Sequence, residues 1–438
     1  MDIEGFARKH MDDPDLENKL AERIMEFKDV DERTALRMAQ AVMTEVRNAY
    51  SKRVWMLDYL KSGVTMGKFG VGSRGSGDFY VHSKIAEMCG GAVVSSRDLD
   101  DAGVVRVGDL YISVAVDGIH SRLSEFPFIA GFHVARAAMR DVLVMGSKPI
   151  ALFSDIHIAD DGDVSKIFDH IAGITAVSEV TGVPLVAGST LRIGGDMVIG
   201  ERMTGAVGCV GVSDYITPRK NATPGDVIVL TEGAGGGTVA TAAIYYGMHE
   251  IVEETINLDF VSAALSLINS GVVRKVHAMS DVTNGGIRGD AEEISRVGRC
   301  ALYFDIEKIR ELVNERVLEM LDSLEIDFMG VSIDSLMVIC PESVADEVVE
   351  IIRKAGVRAD VVGWVERGEG AFSVENGTVK PLKPKFRESA YTPIKKLVGE
   401  ERPENLDEMK RSIDRAFIAA LEKKRKVVKM LRREIPSG

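Results

Sequence analysis

Between residues 110 and about 365, short runs of β-branched residues alternate with segments of helical period, and this alternation restricts the chain to mixed α/β layers. Residues 110–116 read as a strand ending at Asp117, and 129–145 as a helix with Ala130, Val134, Ala137, Ala138, Val142 and Met145 on its buried side. A strand at 150–158, a helix at 164–181 and strands at 183–187 and 203–212 follow. The chain changes domain near Asp214-Tyr215-Ile216-Thr217-Pro218, and Val227-Ile228-Val229-Leu230 opens a second α/β half. Residues 1–61 read as a helical extension, where Asp31 or Glu32 can cap a segment carrying Ala35, Met38, Ala39, Val42, Met43 and Val46 at helical spacing. Pro381, Pro384 and Pro393 mark a linker, and the tail from Pro403 is a basic amphipathic helix whose apolar stripe is expected to pack on the parent domain or a partner. The expected units are therefore 1–61, 62–213, 214–380 and 381–438.

A net charge of −13 argues against nucleic acid as the main partner, because neutralising phosphates needs a basic face. No apolar run approaches the roughly 20 residues that cross a bilayer, and Met1-Asp2-Ile3-Glu4-Gly5 does not resemble a secretory leader, so no membrane partner and a cytoplasmic location are expected. Cys89, Cys209, Cys300 and Cys340 are too scattered for a zinc site and read as reduced, mostly buried thiols.

Phosphate-binding loops of standard form are missing. Gly63-Val64-Thr65-Met66-Gly67-Lys68 is one residue short of a P-loop and continues with Phe69 in place of Ser/Thr. Gly233–Gly237 follows a strand and opens a helix, but Glu250, Glu253 and Glu254 fall in a helical pattern where a dinucleotide site needs an acid closing a second strand. An NAD-dependent oxidoreductase is thus the least supported class, and these glycines read as a tight strand-to-helix turn.

Aspartates are the stronger signal. Asp98, Asp100 and Asp101 crowd together, Asp117 closes the next strand, Asp141 sits inside an apolar helix, and Asp281 opens a polar-glycine turn. Each taken singly can be a cap, a turn or a surface charge. Converging carboxylates repel one another unless a cation lies among them, and Mg²⁺ shared with substrate phosphates relieves that repulsion.

In order and spacing, Asp100-Asp101-Ala102, the strand to Asp117-Gly118, and Arg140-Asp141-Val142-Leu143-Val144-Met145-Gly146-Ser147-Lys148-Pro149 resemble one superfamily. It comprises aminoimidazole-ribonucleotide (AIR) synthetase, selenophosphate synthetase, thiamine-monophosphate kinase and a hydrogenase-maturation dehydratase. Val186-Ala187-Gly188-Ser189-Thr190 is similar to its Gly-Gly-(Asp/Glu)-Thr, and Asp281-Val282-Thr283-Asn284-Gly285-Gly286-Ile287 to its Asp-x-(Thr/Ser)-x-Gly-Gly-Leu. The resemblance spans about residues 65–370. It implies a two-domain α/β (α+β) fold, with an N-terminal half that builds a β-barrel across a homodimer and a C-terminal α/β half. It also implies ATP with Mg²⁺ or Mn²⁺ in the cleft. Carried over residue by residue, Asp101, Asp117 and Asp141 are metal–phosphate ligands, with Asp100 and Asp281 as additional ligands. Gly188 and Thr190 approach phosphate or substrate, as do Asp281, Gly285 and Gly286. Gly72, Arg74, Gly75 and Gly77 match a mobile glycine-rich segment that closes over phosphates, although a plain connector is the competing reading.

Two residues depart from the family pattern. Ser189 replaces an acid, and Arg140 stands where asparagine is common. Residues 62–80 lack the cysteine of selenophosphate synthetases, and Glu434-Ile435-Pro436-Ser437-Gly438 lacks the acceptor cysteine of the dehydratase. Residues 329–336 keep little of the kinase's Gly-Gly-Glu-Asp-Tyr, and Asp117-Gly118-Ile119-His120-Ser121-Arg122 is related to but not the same as the purine enzyme's motif. The expectation is a divergent ATP-dependent enzyme that phosphorylates an oxygen of a small molecule or maturation client, with Asp117 and Asp141 catalytic. His120 is either a general base or a structural histidine. The competing class is a nucleotide-binding sensor or scaffold without turnover.

Overall fold

A computed structural model describes residues 1–51, 54–388 and 390–432; the terminal stretch 434–438 on which the missing cysteine was read lies outside them. The β-branched runs of the first half form β1 (Gly103–Val107), β2 (Leu110–Gly118), β3 (Lys148–Ile158), β4 (Leu185–Arg192) and β5 (Met203–Ser213), in the order β1-β2-β5-β3-β4. Only β3 and β4 are parallel, because a helix must carry the chain back between them. The preceding helices are α1 (Ile3–Lys9), α2 (Leu16–Met25), α3 (Glu32–Ser51), α4 (Met66–Phe69) and α5 (Ser76–Met88). Pro127 at the first turn of α6 (Pro127–Leu143) costs no backbone bond, and α7 (Ser165–Thr181) makes the β3–β4 crossover.

The second half builds a seven-stranded sheet, β12-β11-β8-β10-β6-β9-β7, from β6 (Asp226–Thr231), β7 (Ala278–Asp281), β8 (Cys300–Asp305), β9 (Leu336–Pro341), β10 (Ala359–Arg367), β11 (Gly370–Glu375) and β12 (Thr378–Pro381). Its helices are α8 (Gly237–Tyr245), α9 (Asp259–Ser270), α10 (Gly286–Gly298), α11 (Ile306–Leu312), α12 (Glu315–Ser323) and α13 (Glu342–Lys354). One apolar cluster runs from Val134, Met139 and Val207 of the first half to Phe260, Leu267 and Val338 of the second. It makes α6 a shared element, apolar on nearly every side, so the polar groups it carries are forced into partnership.

The terminal segments add separate layers. Helices α1 to α3 bury Ile3, Leu20, Ile24 and Val42 together, and Lys28 ion-pairs with Asp160 and with Asp161 (2.9 Å) of the first sheet's rim. After α14 (Pro393–Val398), α15 (Leu406–Leu431) seats Leu406 and Met409 against Phe69 and Phe386. Among the described residues, no helix is long and apolar enough to cross a membrane.

Among the described residues the first sheet is open and closes no barrel of its own: it ends in β1 and β4, and its face away from α6 leaves Val114, Val116 and Val186 exposed. One expectation changes, because the glycine-rich stretch is not one mobile loop. Gly67 lies in α4 and Gly77 in the first turn of α5, where a Cβ would meet the Phe69 carbonyl oxygen at 2.1 Å, so close packing explains that glycine.

Candidate functional site

The two halves meet at a cleft of about 470 Å³. Asp117 enters it from the end of β2, Asp141 from the last turn of α6, and Asp100 and Asp101 from the turn before β1. Asp281 arrives from the opposite side, at the end of β7. The five aspartates carried over as ligands therefore line one cavity, whereas Asp98 does not and pairs with Lys220 at 2.9 Å. His120 and Arg74 line it too.

Burial first, and then neighbouring carboxylates, hold Asp100, Asp101, Asp117 and Asp141 above the usual range. Asp141 is pushed well up by burial, then by Asp117, Asp281 and Asp101. Asp117 is raised by burial and Asp281 against the opposing pull of Arg140 and Arg74. Burial lifts Asp100 to about 7 despite Arg219, and Asp101 well above its normal value. A cluster that disfavours its own ionisation in this way has a place for positive charge.

Arginines supply part of that charge, and sequence reasoning missed most of them. Arg219, 1% exposed, reaches Asp101 (2.6 Å), Asp290 (3.0 Å) and Glu293 (2.6 Å), and its backbone N–H donates to Asp100 at 3.0 Å. Burial raises Asp290 to about 7 against the pull of the same guanidinium. Arg136 donates to Asp334 (2.6 Å), and Arg140 pairs with Asp334 and approaches Asp281 at 3.5 Å. Asp334 holds this double bridge from a left-handed backbone, φ 63°. A usable signal existed for some of these residues. Arg219 directly follows the Thr217-Pro218 marker, and Asp290 and Glu293 sit three apart on the helix announced by Gly285-Gly286.

One oxygen each of Asp101, Asp281 and Asp290 is buried without a hydrogen-bond partner. Yet among the described residues no three acids, histidines or cysteines close on one point as a finished metal site. Both facts fit Mg²⁺, which takes one or two protein carboxylates and completes its shell with water and phosphate.

The glycine-rich segment contributes a side chain more than amides. The N–H groups of Gly72 and Arg74 donate to Asp78 (3.0 Å each), and those of Ser76 and Gly77 to the carbonyls of Lys385 (2.9 Å) and Phe386 (3.3 Å). Gly72, Gly75 and Gly77 are not among the lining residues; Arg74 is, at φ 54°, 3.6 Å from Glu293. Gly285, at φ 96°, admits this loop, since a Cβ there would stand 2.9 Å from the Arg74 carbonyl oxygen. Gly285 and Gly286 lie just behind the lining residues Thr283 and Asn284. Gly188, Ser189 and Thr190 lie on the edge strand β4, outside this chain's cleft. Gly233 packs against the Ile333 carbonyl, where a Cβ would come within 2.1 Å, so close backbone approach accounts for it.

His120 is clamped. Thr241 donates its hydroxyl to the Gly237 carbonyl at 2.6 Å, so His120 Nδ1–H donates to Thr241 (3.1 Å) and Nε2 accepts from Tyr391 (2.6 Å). Burial, with Lys395 and Arg122 nearby, lowers it to about 4. It is thus a neutral hydrogen-bonded residue on the wall of the cleft.

An α/β protein of two halves, with an acid- and arginine-lined cleft between them, is the class these features define. The chain belongs to the AIR synthase related family: residues 99–213 match its N-terminal domain and residues 223–375 its C-terminal domain. It is 52% identical over 450 aligned residues to the uncharacterized protein MJ1416 of Methanocaldococcus jannaschii, covering 99% of this chain and 98% of that one. It is 26% identical to the selenide, water dikinase of Myxococcus xanthus over 52% of this chain, and spans 66% of that enzyme's length. The crystal structure of the hydrogenase maturation protein HypE in complex with ATP shares the fold, with a TM-score of 0.53 at 17% identity over 62% of this chain and 84% of that one.

Proposed function

We propose that the chain is an ATP- and Mg²⁺-dependent enzyme that activates an oxygen of a small molecule or maturation client by phosphorylation. The observation that carries this reading is the convergence of Asp101, Asp117, Asp141 and Asp281 on one cavity, where the other three all push Asp141 up. The family's named kinases and the ATP complex of HypE support nucleotide as the ligand.

Asp117 and Asp141, which carry no arginine clamp as tight as that on Asp101, would hold the ion, with Asp100, Asp101 and Asp281 around it. The metal would neutralise charge on the transferred phosphoryl. Arg74 would contact phosphate from the glycine-rich segment, and its strained backbone fixes the guanidinium at the cleft mouth. His120, held neutral, positions the wall rather than taking a proton. Catalysis then comes mainly from holding the reactants in line.

The exposed apolar face of the first sheet supports a homodimer closed through that face. Gly188 and Thr190 lie on its edge strand, where they would serve a partner's cleft rather than their own. We read the units as 1–61, 62–213, 214–380 and 381–438, with nucleotide between the second and third.

ADP release from ATP with Mg²⁺, measured across a panel of small acceptors with Asp141→Ala as control, tests the enzyme. Nucleotide bound without turnover would favour a sensor or scaffold, a reading that draws on the arginines already pairing with Asp101 and Asp281. No binding of ATP, ADP or AMP with Mg²⁺ or Mn²⁺ would sink both.

A further inference from the structure

Helix α6 presents His133, Arg136 and Arg140 toward the second half along about 10 Å of its length. Arg136 has both terminal nitrogens engaged: it donates to the carbonyls of Thr255 (3.0 Å), Asn257 (2.7 Å) and Gly235 (3.0 Å) and to Asp334, and only its Nε is buried without a hydrogen bond. Arg140 is less well supplied. Its Nη1 shares Asp334 with Arg136, and its Nε, 3.5 Å from Asp281, is buried without a hydrogen bond on a side chain that is 7% exposed and lines the cleft. Two guanidiniums thus divide one carboxylate at the cleft wall.

The same wall carries the start of α8. Gly236 offers no side-chain cap, and the first helical bond is Ala240 N–H to the Gly236 carbonyl at 2.9 Å. The amides of Gly237 and Thr238 therefore have no acceptor within the helix, and both residues line the cleft. Gly236 brings them close to the cations: a Cβ there would stand 3.2 Å from Arg136 Nη2 and 3.8 Å from Arg140 Nη1.

We propose that Arg140 and the first-turn amides of α8 form an anion subsite, and that it receives a carboxylate or phosphate of the acceptor rather than of the nucleotide. The inference rests on the nucleotide reading above. A neutral group filling this wall would leave the Arg140 charge half-answered and strip water from the amides without replacing those bonds, which works against it. An anion supplies the missing acceptors and gains from the helix end. The aspartate end repels any anion that arrives without metal, so phosphates carrying Mg²⁺ belong there and the acceptor's own charge belongs at Arg140.

The test uses the full chain saturated with Mg²⁺ and a non-hydrolysable ATP analogue. Inorganic phosphate and, separately, acetate are titrated by calorimetry into wild type, Arg140→Asn and Arg140→Lys. We expect one anion per chain, at least tenfold weaker binding in R140N, partial recovery in R140K, and analogue affinity within threefold throughout. Preference for phosphate over acetate, or the reverse, assigns the acceptor's class. An unaltered R140N, or no anion bound by wild type, overturns the subsite. An equal loss of analogue affinity places Arg140 in the nucleotide site and overturns it as well. If wild type binds no analogue, but phosphate binding to the free chain still depends on Arg140, the nucleotide reading falls and the subsite stands. A melting midpoint for R140K close to wild type shows that the fold is retained.

Discussion

Replacing Arg219 with methionine tests the electrostatic account of the cleft. The side chain is 1% exposed and bridges Asp101, Asp290 and Glu293 at 2.6, 3.0 and 2.6 Å. Methionine keeps most of the volume but leaves three buried acids facing one another. Removing one partner of a buried pair costs about 3–5 kcal/mol, and that loss is expected at pH 7.5. The acids have an escape. Asp290 is already raised to about 7 with the arginine present, and higher without it. Between pH 7.5 and 5.5 the variant's folded state therefore holds protons that the wild-type fold, with Asp290 at about 7, gains only partway down the interval. The variant's deficit shrinks on acidification, by roughly 1.4 kcal/mol per pH unit for each proton it holds in excess. Urea unfolding of both proteins at pH 7.5 and 5.5 measures this directly. A deficit under about 1 kcal/mol at pH 7.5, or one that grows toward pH 5.5, would refute the reasoning.

Asp141→Asn is expected to weaken Mg²⁺-dependent binding of an ATP analogue at least about tenfold by calorimetry, yet to leave the ligand-free protein no less stable, since it removes one of several mutually repelling carboxylates; undiminished affinity would count against Asp141 as a ligand. His120 has a folded pKa near 4 and an unfolded one near 6.5, so on acidification the unfolded chain binds its proton first and stability falls between those values, by up to about 3 kcal/mol. Asp100, raised to about 7, acts in the opposite sense, so the difference between wild type and His120→Gln is the quantity to follow from pH 7.5 to 4.5; a flat difference contradicts the clamp. Val116 and Val186 are 65% and 61% exposed on the open sheet face, and lysine at both is expected to turn a dimer into a monomer by light scattering. A wild type that is already monomeric at micromolar concentration removes that face as an interface.

How far the site was legible follows from what each signal depends on. Asp117 and Asp141 stood out because a strand end and an apolar helix are recognisable from local period, and an acid in either place needs a reason. Arg219, Asp290 and Asp334 did not, because a buried arginine looks the same as a surface one until distant chain segments meet. The glycine-rich segment misled for a related reason: glycine signals freedom in a sequence, whereas Gly77 is set by the approach of Phe69 and Phe386.

By itself the sequence determined the alternation of strands and helices and the order of the aspartates, because period and turn chemistry are local properties. The tertiary structure alone decided which cations answer those aspartates, that the loop amides bind Asp78, and that Arg140 faces α8. Charge pairing across about 70 to 200 residues depends on how the halves pack around α6, and no local pattern carries that information.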